Sequence, residues 1–123
     1  MPRKTSTKSA PAANRRSPCP VACALDLFGD KWTLLIIRDL ILGRSRFKDF
    51  IESPEGIPTN ILSDRLERLR DGGLVEQIPA TDGGKRLAYQ LTDKGLALRP
   101  VLRAIRDWGL KWEPGTRANL EGA

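Results

Sequence analysis

Four short polar side chains, Thr59, Asn60, Ser63 and Asp64, crowd the start of one stretch, GIPTNILSDRLERLRDGGL, Gly56–Leu74. At the helical turn of about 100° per residue they share a side with Glu67, while Ile61, Leu62, Leu66 and Leu69 fall within an opposite arc of roughly 140°. Pro58 fixes where such a helix begins. Thr59 or Asn60 offers a cap for its free N–H groups, and Gly72-Gly73 supplies a left-handed stop. Hydroxyls, an amide and a carboxylate on an exposed helix start can both donate to and accept from base edges. A helix that reads a major groove presents such a set. An ordinary amphipathic surface helix carries the same stripe, so its neighbours in the chain must decide between the two.

Two further chemistries are present. Arg44, Arg46 and Lys48 lie in RSRFKDFIE, Arg44–Glu52, which reads as a helix with Ser45 as its cap and Phe47, Phe50 and Ile51 turned inward. Basic side chains beside free N–H groups at a helix start can clamp a phosphate; a merely solvated face is the alternative. Arg68, further along Gly56–Leu74, and Lys85-Arg86 extend the basic set, whereas Arg65 lies on the inner arc and is expected to be half-buried. The remaining chemistry is thiol. Cys19 sits at the start of a helix shortly after Arg15-Arg16, and both features favour thiolate. Cys23 lies one turn on, so a bridge between the two inside an intact helix would be strained. Any disulfide should run between subunits or follow local unfolding. Either cysteine is otherwise a small, buried, unreactive apolar residue.

Composition removes several classes. The 123 residues include no histidine, which excludes Ser–His and Cys–His catalysis and most zinc sites. Two cysteines are too few for a disulfide framework or a Cys-only zinc site. There is no Gly-rich phosphate loop and no internal repeat, and no cofactor is expected. The net charge is +6, but Met1–Ser17 holds 5 basic residues and no acid, leaving 16 basic against 15 acidic residues elsewhere. The folded part is therefore nearly neutral, and the placement of its charges matters more than their sum.

The elements that must position these groups follow from the pattern. Residues 1–17, rich in Pro, Ala, Ser, Thr and basic side chains, read as a disordered basic tail, either plainly solvated or a phosphate-contacting arm. Residues 18–113 form one domain, and 114–123 a flexible end. Pro20–Phe28 is a first helix whose Val21, Ala24, Leu25 and Phe28 share a face. Asp30 can cap a second, Lys31–Leu42, apolar nearly all round and so central to the core, with Trp32 as an anchor. Arg44–Glu52, a turn at Ser53–Gly56 and the stretch after Gly56 give helix-turn-helix spacing. LVEQIP and LAYQL then read as two strands joined through Asp82-Gly83-Gly84, a hairpin with Lys85 and Arg86 at its tip, in the place of a wing. Thr92 or Asp93 starts a last helix to about Trp112, bent or restarted at Pro100. Its row of Leu98, Val101, Leu102, Ile105, Trp108, Leu110 and Trp112 exceeds what so small a core can absorb, and burial against a second copy is the natural outlet. No apolar run approaches the ~18 residues of a membrane span, so the expected location is the cytoplasm.

Taken together, CPV at Cys19–Val21, DKWTLLIIRDL at Asp30–Leu40, RFKDF at Arg46–Phe50, GIPTNILSDRLERLRDGGLV at Gly56–Val75, YQLTDKG at Tyr89–Gly95 and the Pro100-Val101-Leu102 with Trp108 closing pattern are specific. In this order they resemble the HxlR-type branch of the MarR-like winged-helix transcription regulators, over about Cys19 to Trp112. The resemblance implies a mainly α (α+β) fold, a winged helix-turn-helix domain with a two-stranded wing and terminal dimerisation helices. It implies a homodimeric bacterial regulator, and a thiol in front of Pro-Val, here Cys19, that senses oxidants or electrophiles. The chain departs from the common pattern at Asp30, where Gly is usual, at Pro58, often Ser, and at Ala88, often acidic.

The expectation is a DNA-binding regulator without catalysis, on an inverted-repeat operator in double-stranded DNA. Thr59, Asn60, Ser63 and Asp64 would face bases; Arg44, Ser45, Arg46, Lys48, Arg68, Lys85 and Arg86 would complete the DNA contacts, and the effector is unknown. The rival from another class is a winged-helix protein-interaction module without specific DNA binding, which the neutral folded core permits. An enzyme is the poorest choice, with only Cys19 to support it.

Overall fold

The computed structural model describes residues 15–79 and 87–118. Among the described residues, six helices and two paired strands follow in the order α1 (Pro20–Phe28), α2 (Thr33–Ile41), α3 (Phe47–Ile51), α4 (Thr59–Asp71), β1 (Val75–Pro79), β2 (Leu87–Leu91), α5 (Asp93–Leu96) and α6 (Arg99–Trp112). This is a winged helix-turn-helix: α3 and α4 are the paired helices, and β1 and β2 pair antiparallel in the register Val75↔Leu91 to Pro79↔Leu87 behind them. The tip carrying Lys85 and Arg86, residues 1–14 of the basic tail and residues 119–123 lie outside the described residues.

The core forms where the apolar arcs of α2, α3 and α4 meet. Ile36, Ile37, Phe50, Leu62, Leu66, Leu69, Leu74 and Val75 are buried in one cluster, joined by Leu102 of α6. Burying each large aliphatic side chain is worth about 1.5–3 kcal/mol. Phe50 also meets the Tyr89 ring edge-on, with centroids 6.3 Å apart, and so fastens α3 to the hairpin. The Tyr89 N–H donates to the Ser45 carbonyl at 2.8 Å, which extends the hairpin edge towards the residues before α3.

Helix ends follow local chemistry, in places differently from expectation. The second helix starts at Thr33, not Lys31, and Trp32 rather than Asp30 holds its cap position, but the Asp30 carboxylate still accepts the Trp32 and Thr33 N–H groups at 3.0 and 3.1 Å. Neither Thr59 nor Asn60 caps α4. Pro58 occupies the cap position itself, and no side chain accepts there, because a rigid Pro one residue early displaces both polar residues into the first turn. The third helix starts at Phe47, not Arg44, and Ser45 is not its cap. The Asp49 carboxylate instead reaches back to the Ser45 and Arg46 N–H groups at 3.2 and 3.0 Å. These bonds hold the Asp49 carboxyl below the ordinary carboxylate range, the Arg46 N–H being the largest cause. Gly73 turns α4 into β1 with φ +79, a conformation that L side chains rarely adopt.

The expected last helix is two. Thr92 caps α5, accepting the Gly95 N–H at 3.2 Å, and the chain restarts as α6 with Pro100 in its first turn. Gly95 allows α5 to lie directly on the end of α4: a Cβ there would stand 2.3 Å from the Leu74 carbonyl oxygen. The Thr92 hydroxyl and the Lys94 ammonium donate to the Gly73 and Gly72 carbonyls at 2.5 and 2.8 Å, which completes that joint.

Candidate nucleic-acid interface

Helix α4 is held from behind and left open in front. Its buried Leu62, Leu66 and Leu69 fix its rotation, which turns Thr59, Asn60 and Ser63 to solvent. Their side chains have no hydrogen-bond partner among the described residues. Asp64 is also exposed, but its carboxylate pairs with the neighbouring Arg65. Arg65 is largely buried and donates through Nε to Asp30 at 2.9 Å, so it ties α4 to the start of α2. Asp30 serves both helices. Burial would push its carboxyl up, yet hydrogen bonds from the Thr33 hydroxyl, Arg65 and the Trp32 N–H outweigh that and hold it at about 2.

The basic side chains divide. Lys48 is exposed on α3. Arg44 is half-buried, and its Nη1 donates to Asp39 at 2.9 Å and to Ser53 Oγ at 3.0 Å. Arg46 occupies the cap position of α3, and Arg68 lies exposed on α4, where Nη2 donates to the Asp26 carbonyl at 3.3 Å. The clamp expected at a helix start does not form in that shape. Arg44 and Arg46 precede the helix, and the N–H groups of Ser45 and Arg46 are already taken by Asp49. What remains is a row of cations flanking the helix-turn-helix, with Arg44 anchored from beneath.

That anchor is the part the sequence did not disclose. Arg38, 9% exposed in the middle of α2, grips Glu55 with Nη1 and Nη2 at 2.8 and 2.7 Å. The same guanidinium donates to Asp39 at 2.9 and 3.2 Å, and Asp39 also accepts from Arg44 and from the Ser53 hydroxyl. The Arg38 hydrogen bonds, the largest cause, hold the Glu55 carboxyl below its ordinary range. Charges buried this deeply are tolerated only when paired. The pairing pins the α3–α4 turn, which contains Ser53 and Glu55, onto α2 and sets where α4 begins. The only signal in the sequence was Arg38-Asp39 interrupting an otherwise apolar helix.

The thiols lie at the start of α1, the helix that Arg68 of α4 meets at Asp26. Cys19 is exposed at the cap position of α1, its N–H on Ser17 Oγ at 3.1 Å. Cys23 is half-buried, and its Sγ–H donates to the Ser17 carbonyl at 3.3 Å. Arg16, one of the two basic residues before Cys19, closes on Asp26 at 2.6 Å. Among the described residues no cluster of His, Cys, Asp or Glu could hold a metal ion, and no helix is long and apolar enough to cross a membrane.

The HxlR-like helix-turn-helix family matches residues 27–116. Among curated relatives, the HTH-type transcriptional regulator YodB of Bacillus subtilis is 34% identical over 99 residues, 79% of this chain and 88% of YodB. Among solved structures, PA1607 superposes with a TM-score of 0.77 at 42% identity, covering 86% of this chain and 75% of that one. The redox regulator HypR in its reduced form gives 0.68 at 28% identity, covering 76% and 92%. With its helix-turn-helix, its two strands and helices α5 and α6 inside the matched span, the chain belongs to the HxlR family of helix-turn-helix transcriptional regulators, which are not enzymes.

Proposed function

We propose that the protein is a cytoplasmic, homodimeric regulator that binds an inverted-repeat operator in double-stranded DNA and releases it when Cys19 is oxidised or alkylated. The observation that carries the DNA reading is the front of α4. Thr59, Asn60 and Ser63 are exposed and without internal partners, while the back of the same helix is buried. Asp64 completes that row at a cost, because its carboxylate must leave Arg65 to meet a base. Lys48, Arg44, Arg46 and Ser45 precede α4 in the chain, Arg68 lies on it, and all five suit phosphates; Lys85 and Arg86 would serve from the hairpin tip. Two copies related by a two-fold axis would set their reading helices about 34 Å apart, one turn of duplex.

Dimerisation is supported by the apolar side chains that one copy leaves uncovered. Val21 and Leu25 on α1 and Ile105, Trp108, Leu110 and Trp112 on α6 are all exposed. The thiol reading is supported by the exposure of Cys19 at a helix start, where the free N–H groups favour the anion. The relatives add to it: HypR is a redox regulator solved reduced and oxidised, and YodB has been solved reduced, diamide-treated and quinone-bound.

A fluorescence-anisotropy titration with DNA from upstream of the protein's own gene tests both parts. Asn60→Ala should weaken the best site by about 1–3 kcal/mol and relax base preference there, with random DNA unaffected. Equal loss on specific and random DNA would remove α4 from base reading. A mild thiol oxidant should release the operator from the wild type and not from Cys19→Ser. Release that persists in that variant would acquit the thiol. Weak, sequence-blind binding at ~50 mM salt, where phosphate contacts count most, would favour a protein-interaction module instead.

A further inference from the structure

Two carboxylates share one guanidinium where the start of α2 meets α4. Arg65 donates through Nε to Asp30 at 2.9 Å and through Nη1 to Asp64. The two acids are not equivalent. The Asp30 side chain is 22% exposed and also accepts the Trp32 N–H, the Thr33 N–H and the Thr33 hydroxyl, at 3.0, 3.1 and 2.5 Å. The Asp64 side chain is 54% exposed, and Arg65 is its one partner among the described residues. Asp64 is therefore the acid that can leave, since an ion pair with so exposed a member is worth little. Its place suits that freedom: it stands on the front of α4, one helical turn after Asn60. Arg65 is only 18% exposed and cannot do without a counter-charge, and when Asp64 turns away Asp30 still supplies one.

We propose that Asp30 is a positioning residue for base selection: it holds Arg65, and so leaves Asp64 free to accept from the amino group of a cytosine in the major groove. The inference rests on the reading of α4 as the groove helix, and adds to it one base and the residue behind that choice. An ionised carboxylate can only accept hydrogen bonds. Guanine and thymine present acceptors to it, and adenine sets its N7 acceptor beside its amino group, whereas cytosine offers its N4 donor alone. With Asp30 uncharged, Asp64 would be the one counter-charge left to a largely buried guanidinium and would be kept on it. Asp64 would then be present on α4 but withheld from the groove.

Selection of the full chain on random duplexes, read by sequencing, tests this, at a temperature where circular dichroism shows every variant folded. The wild type should prefer cytosine about tenfold over the other bases at one position of each half-site. Asp64→Ala should flatten that position to within about twofold. Asp30→Asn should flatten the same position although Asp64 is still there, and should leave the position that Asn60→Ala relaxes unchanged. Removing the guanidinium as well should bring the preference back: Asp30→Asn with Arg65→Met leaves Asp64 nothing to be held by. A merely structural role for Asp30 predicts no such return. Arg65→Met alone should keep the cytosine preference, a check that does not depend on Asp30. The proposal fails if Asp30→Asn keeps the preference, if the double variant stays flat, if Arg65→Met loses it, or if Asp64→Ala changes nothing. In each of these cases an Asn60-dependent position would leave the DNA reading standing. A wild type that selects no sequence at all would sink both.

Discussion

Helices α4 and α6 are nearly equal in length, 13 and 14 residues, and they solve the same problem in opposite ways. Helix α4 buries Leu62, Leu66 and Leu69 fully and Ile61 partly in its own chain and shows solvent a polar front. Helix α6 buries only Leu102 fully and leaves Trp108 and Trp112 60% and 59% exposed. Area alone accounts for the difference. A core built on α2, α3 and α4 has room for one more aliphatic row, which Leu98 and Leu102 fill; the indoles further along α6 extend past its edge. One part of the molecule is thus finished within a single chain, and the other presents a surface suited to a second copy.

The buried charges behind α4 are the most sensitive point of the finished half. Arg38→Ala would leave buried Asp39 with the half-buried Arg44 as its remaining counter-charge and take from Glu55 its two-bonded partner, and should cost about 3–5 kcal/mol in urea unfolding. A loss under 1 kcal/mol would mean that the network does not hold the α3–α4 turn. Asp30 is a milder case. Its carboxyl is depressed from 3.8 to about 2 in the folded protein, so it contributes stability that is fully present above about pH 4 and is lost as pH falls towards 2. Asp30→Asn should cost about 1–2 kcal/mol at pH 7, through the lost cap and the weakened hold on Arg65, and should flatten the acid limb between pH 4 and 2. An unaltered acid limb would assign that titration elsewhere. The unfinished half should respond least in its fold. Trp108→Ser should change single-chain stability by no more than about 0.5 kcal/mol, yet shift sedimentation towards the monomer. A Trp108→Ser protein that keeps the wild-type mass, or a wild type already monomeric, would erase the contrast between the two helices.

Much of the architecture was legible because periodicity reports burial. The arc of Ile61, Leu62, Leu66 and Leu69 gave the orientation of α4, and the restart at Pro100 and the expected partial burial of Arg65 are both present. Helix caps were less legible. Pro58, Thr59 and Asn60 compete for one position, and Asp49 caps α3 from within, which a search for a preceding Ser or Thr misses. On α1, the shared face of Val21 and Leu25 did not become core. Leu27 packs inward instead, because a short terminal helix takes its orientation from the partner available to it.

The sequence by itself determined which segments are helical, which side of each is apolar, and that short polar side chains gather at the start of α4. These follow from spacing within one segment, which the covalent chain fixes. Only the tertiary structure decided that Arg38 of α2 meets Glu55 and that Asp30 serves two helices. Pairings of that kind join residues far apart along the chain, and a charge carries no periodic mark of the partner that packing will bring to it.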